Sequence, residues 1–138
     1  MKNGKTRGIR NNNPFNIRRS YNGWRGKTVL NADKDFEKFT QMDYGIRAGI
    51  LLLRNAYLAK GLVTVEQIIN KYAPSSENDT QAYIDYIYKH SPIHYNEKIS
   101  VSSLNFFNLC MCICKYESDY DLTYSHFRVV VNKFNLGI

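Results

Sequence analysis

The chain has 138 residues, 43% of them hydrophobic, with 19 Lys plus Arg against 12 Asp plus Glu for a net charge of +7. That length suits one domain, since domains peak at roughly 100–150 residues, and seven Phe with eleven Tyr supply a core. The basic surface favours polyanionic partners (nucleic acid, acidic membranes or an anionic cell wall) without choosing among them.

The opening Met-Lys-Asn-Gly-Lys-Thr-Arg has no apolar segment behind it, so no secretory signal is expected. No apolar run nears the ~18 residues of a membrane span. The cysteines, Cys110, Cys112 and Cys114, are odd in number and too crowded for a disulfide framework. Synthesis in a reducing cytoplasm follows, with release by another route for any work outside the cell.

Residues 1–19 carry five asparagines, two glycines and one proline and read as loop. Residues 20–39 combine Asn22-Gly23, a two-residue turn signal, with short aromatic and β-branched pieces, which predicts one or two small hairpins. From Asp43, a plausible N-cap, Ile46, Gly49, Ile50, Leu53 and Tyr57 recur at helical spacing until Gly61. Thr64-Val-Glu-Gln67 is a capping-box pattern opening a helix through Tyr72, which Ala73-Pro74 ends. After the loop Pro74–Asp79, Asp79 or Thr80 caps a helix through about Lys89, stopped by Ser91-Pro92. Ser102 or Ser103 starts a strongly apolar helix reaching Tyr116, and a last amphipathic stretch runs from about Ser125 to Phe134.

Three groups of residues invite a chemical reading. Cys110 and Cys114 share a helical face, as two corners of a metal site do, but His90, His94 and His126 are scattered, and core packing is the better reading. The segment 64–90 reads as helix, turn, helix on a basic protein. However, its turn exceeds the three or four residues usual in that DNA-binding motif, and its second helix has Asp85 and three tyrosines but no arginine to read a base edge. Glu117 is the third. It is the first acidic residue after the run of Phe, Leu, Cys, Met and Ile, where lost hydration raises a carboxyl pKa as a glycosidase general acid requires.

The pieces Arg7-Gly-Ile-Arg-Asn-Asn-Asn-Pro14, Trp24 and Gly26, Phe36-Glu-Lys-Phe39, Tyr44–Leu53, Thr64–Ile84 and Cys114-Lys-Tyr-Glu-Ser118 resemble a family of phage and prophage lysozyme-like proteins. Some of its members are described as virion structural proteins. The resemblance covers about residues 7–118, and its most specific pieces are Arg7–Pro14 and Ala73–Thr80. A further likeness is to soluble lytic transglycosylases and goose-type lysozymes. Their apolar helix ending in Glu-Ser precedes an Asn-Pro loop, a small β region and further helices. Here Asn13-Pro14 opens the chain and Glu117-Ser118 comes near its end, an order that resembles a circular permutation. Two positions depart from the pattern: Asp119 stands where Gly is usual, and Phe15 where Gly or Leu is common.

The resemblance implies one lysozyme-like α+β domain over residues 1–138, mainly helical with a small antiparallel hairpin region at 17–39. It implies cleavage of the β-1,4 bond between N-acetylmuramic acid and N-acetylglucosamine, with Glu117 as general acid and no metal or organic cofactor. In a transglycosylase variant the same Glu117 then helps the muramyl 6-hydroxyl close onto the anomeric carbon. A retaining route needs a second carboxylate about 5 Å away, for which Asp33, Asp35 and Glu37 are the candidates. Glu77, the rival acid, is expected to cap its loop instead. Asn11, Asn12, Asn13, Asn16 and Trp24 are expected to bind the glycan, and Tyr83 to bond near Glu117. The implied partners are peptidoglycan strands and other virion proteins, and the implied place of action is the bacterial cell wall or a phage virion. The alternative is a non-catalytic basic module, structural in a virion or binding nucleic acid.

Overall fold

A computed structural model describes residues 5–138; the part of the expected opening loop on residues 1–4 lies outside the described residues. Six α-helices make the scaffold: α1 (Arg7–Arg10), α2 (Met42–Leu52), α3 (Val65–Tyr72), α4 (Thr80–His90), α5 (Leu104–Ser118) and α6 (Tyr124–Lys133). α2 continues through a π-helical turn, Leu53–Tyr57, and a 3-10 turn, Leu58–Lys60, until Gly61 ends it in the left-handed region at φ 84°.

The helix ends follow local chemistry. Thr64 and Gln67 form the reciprocal capping box at α3. Asp79 accepts from the Ala82 N–H at 3.1 Å and caps α4. Asp43 is not the cap of α2; Gln41 holds that place, and Asp43 lies inside the first turn, bonded to His126 and Lys133 of α6. α5 is apolar nearly all round because it runs through the core, with Phe106, Leu109, Cys110, Ile113 and Cys114 fully buried. It packs on α4 and α1, while α6 packs on α2.

The expected α+β class is overturned. Helix makes up 50% of the described residues, and among them there is no β-strand, sheet or hairpin. Between residues 17 and 39 only two isolated antiparallel bridges form, Arg18 with Phe36 and Lys27 with Phe39. The reason is that side chains capture the backbone groups a ladder would use. Asp33 Oδ1 accepts from the N–H groups of Asp35 and Phe36, and Asn31 donates to Phe36 O. Arg19 donates to the carbonyls of Asn31 and Asp33, and Lys27 to those of Ser20 and Asn22. The chain turns at Arg25-Gly26 rather than Asn22-Gly23, with Gly26 at φ 80°.

The asparagine-rich segment docks on α2. Asn12 adopts φ 52°, and its carbonyl lies 1.8 Å from where a Cβ on Gly45 would stand. One turn on, the Phe15 ring covers Gly49, 2.1 Å from its would-be Cβ. Phe15 is therefore fully buried, a gain of roughly 1.5–3 kcal/mol. Gly45→Ala should lower unfolding free energy by about 1–3 kcal/mol, because the obstacle is backbone and not a pliable side chain. Gly23→Ala, with nothing within 4 Å, is the control. Equal urea midpoints for the two variants would show that the loop does not press on α2.

Candidate active site

Glu117 lies in the last turn of α5, which ends at Asp119 in the left-handed region at φ 54°. Asp119 takes the conformation that glycine adopts most easily at such helix ends, and its N–H donates to Lys115 O at 2.9 Å. The exit of the helix is thus preserved without glycine. Gly8 of α1 allows the close approach of this end, since a Cβ there would stand 1.8 Å from Ser118 Oγ. Thr6 Oγ1 donates to Ser118 O at 2.6 Å and fixes the junction.

Two side chains hold the Glu117 carboxylate. Tyr83 of α4 donates its O–H to Oε2 at 2.9 Å, and Asn16 Nδ2 donates to Oε1 at 3.2 Å and to the Glu117 carbonyl at 3.0 Å. Burial pushes the Glu117 carboxyl above its ordinary value, while the bonds from Tyr83 and Asn16 and the charge of Arg18 pull it back in part. The negative end of the α5 dipole also disfavours a charge there. Burial holds the Tyr83 phenol well above its usual range, so it stays a donor. Its ring stacks on Tyr116 at 3.8 Å between centroids.

Glu117 opens into a groove of about 470 Å³, whose walls include Asn16, Arg18, Trp24, Tyr72 and Glu77. Asn16 sits at φ 51°, which aims its amide at the helix end. Asn16 Oδ1 and Trp24 Nε1 are buried and, among the described residues, have no hydrogen-bond partner. Tyr72 donates its O–H to Phe15 O and so ties α3 to the loop.

The other asparagines are employed elsewhere. Asn11 donates to Asp33 at 2.9 Å, Asn12 to Phe39 O at 3.0 Å, and the fully buried Asn13 to Ile17 O and Glu37 O, both at 3.0 Å. They build the loop and are not among the residues that line this groove. Asp33, Asp35 and Glu37 are no second carboxylate there either. Asp33 and Asp35 grip Arg7, which holds the Asp33 carboxyl well below the usual range. Glu37 is buried against Lys27 at 3.1 Å. Glu77 does line the groove and pairs with Arg18 at 2.9 Å, and since Asp79 caps α4, the expected loop-capping role of Glu77 falls away. Nothing in the sequence pattern singled out Arg18 or Tyr72.

The cysteines are buried and free; burial pushes the Cys112 thiol up to about 11 and those of Cys110 and Cys114 up as well. Among the described residues, no three His, Cys, Asp or Glu side chains are grouped to hold a metal ion, and no single helix is long and apolar enough to cross a membrane.

No family model matches the chain. It is similar to Protein P5 of Pseudoalteromonas phage PM2, with 41% identity over 97 residues, or 68% of this chain. The match spans 61% of the length of that curated relative. A phage protein is therefore a relative of this chain.

Glu117 takes its proton more readily in the fold than in the unfolded chain, whose value is near the ordinary 4.5. Its contribution to stability is complete below 4.5 and is lost as pH rises through the higher folded value. The stability of the wild type relative to Glu117→Gln should therefore decline over that interval in urea titrations. A difference that is flat or grows with pH contradicts the burial assigned to this carboxyl.

Proposed function

We propose that the chain cleaves the β-1,4 bond between N-acetylmuramic acid and N-acetylglucosamine in peptidoglycan, with Glu117 as general acid. The observation that carries this reading is a desolvated carboxyl, bonded by Tyr83 and Asn16, on the wall of an open groove of about 470 Å³. A carboxyl that holds its proton more firmly than an exposed one can give it to a glycosidic oxygen as the bond breaks. The reading rests on the site and not on the fold, because the helical scaffold lacks the β region of lysozymes.

Asn16 and Trp24 are the glycan contacts. Both residues line the groove, where an amide and an indole face suit a saccharide. Tyr83 is 1% exposed and serves as a positioning residue that orients the carboxyl. Glu117 meets the segment after Asn13-Pro14 although 101 positions separate it from Asn16, so the site joins two distant parts of the chain. The phage relative supports a place in a virion.

A second reading, a non-catalytic basic module of a virion or one that binds nucleic acid, draws on the charge. Arg25, Arg47 and Lys133 each lie within 6 Å of the Phe134 ring centroid, a concentration of cations away from the groove lining. Clearing of a purified peptidoglycan suspension separates the two. Glu117→Gln should cut the rate by about 10²–10⁴ with helicity and melting temperature retained, and Tyr83→Phe should cost less. Clearing by Glu117→Gln at the wild-type rate removes the assignment; retention on DNA without any clearing favours the second reading.

A further inference from the structure

We propose that Glu77 is the second carboxylate of the groove and activates the water of an inverting hydrolysis; this rests on Glu117 being the acid. Glu77 and Glu117 are the acidic residues among the groove's lining, and they come from different walls. Glu117 ends α5, whereas Glu77 stands in the loop between α3 and α4, where its N–H donates to Pro74 O at 3.0 Å. With Asp79 capping α4, the Glu77 side chain has no duty to its own loop. Its partner is Arg18, at 2.9 Å.

The two carboxyls have opposite surroundings, as an acid and a base in one site require. Glu117 is half-buried and held by Tyr83 and Asn16. The Glu77 side chain is 53% exposed and that of Arg18 is 62% exposed, so water reaches this wall of the groove. Exposed pairs of this kind are weak, which leaves Glu77 free to exchange Arg18 for a water. The guanidinium of Arg18 lies over the Phe36 ring at 5.2 Å, a support that does not depend on Glu77.

The two carboxyls are held by different partners. The Arg18 charge is felt at Glu117, yet Arg18 makes no hydrogen bond to it, and no donor joins the two carboxyls. A retaining pair stands about 5–5.5 Å apart, and an inverting pair about 6.5–9.5 Å with a water between nucleophilic carbon and base. With Glu77 on the exposed side of the groove that water reaches, the base of the second arrangement is the role its surroundings fit. In the step, Glu77 takes a proton from water as the water oxygen bonds to the anomeric carbon from the face opposite the leaving oxygen. The bond to that oxygen breaks and Glu117 supplies its proton. The products are an α-configured muramyl reducing end and a free 4-hydroxyl, and the two carboxyls return to their starting states by exchange with solvent.

The test uses the full chain on purified peptidoglycan. The wild type should release muramyl reducing ends that are α on first appearance by NMR. Glu77→Gln should lower turnover at least ~100-fold with its melting temperature kept. Glu77→Ala should regain turnover in azide, giving an α-glycosyl azide, a product that loss of a merely structural Arg18 pairing cannot produce. Near-wild-type turnover by Glu77→Gln, wild-type products ending in 1,6-anhydro sugars, or azide without effect overturns the role of Glu77. If Glu117→Gln is inactive in that same experiment, Glu117 remains the acid. A wild type that releases nothing, or both Gln variants active, overturns the acid and the base together.

Discussion

The amide of Asn16 is the joint on which the site depends. Its Nδ2 donates at once to the carbonyl and the carboxylate of Glu117, so a single side chain fixes both the end of α5 and the orientation of its last acidic group. The amide is in place because the backbone accepts φ 51° at Asn16, a conformation in which asparagine is enriched. That backbone is set in turn by Asn13, whose buried amide grips Ile17 and Glu37, and by Phe15, which fills the space over Gly49. Each link is local, and together they bring the opening segment to a helix end over a hundred residues away.

The scaffold explains why the carboxyl there differs from those on the surface. α5 is buried from Phe106 to Cys110 and from Cys112 to Cys114 and emerges again at Lys115 and Tyr116, so Glu117 leaves the core at its edge. Tyr83 and Tyr116 stack beside it and keep water from one side, while the groove opens the other. Desolvation therefore outweighs the two hydrogen bonds and the distant Arg18 charge. The same burial leaves Cys110 and Cys114 inert, since a thiol in apolar surroundings does not ionise.

The helices were legible because their signals are local. Thr64 with Gln67, Asp79 and Gly61 each act within one turn, and the apolar run before Glu117 foretold both the core helix and the position of its carboxyl. The stretch from Ile17 to Phe39 misled for a physical reason. Its turn residues and β-branched pieces suit a hairpin, but Asn31, Asp33, Arg19 and Lys27 bind backbone groups within the same loop, choices among polar side chains that hydrophobic spacing does not register. The asparagines were ambiguous for a similar reason: an amide serves a turn or a ligand equally well. Only the packing on α2 separates Asn11, Asn12 and Asn13, which build the loop, from Asn16, which faces the groove. Glu77 had a polar neighbourhood in the sequence and gains significance only from Arg18, 59 positions away.

The central claim is that the fold holds a protonatable carboxyl at the groove, and the titration of Glu117 itself tests this most directly. Carbon-13 NMR of glutamate-labelled protein, with the Glu117 resonance assigned by its loss in Glu117→Gln, reads that carboxyl alone. The expected midpoint lies above the ordinary 4.5, because burial outweighs the stabilising bonds. A midpoint at or below 4.5 would mean that Glu117 is ionised throughout the neutral range, and the groove would have no acid at this position.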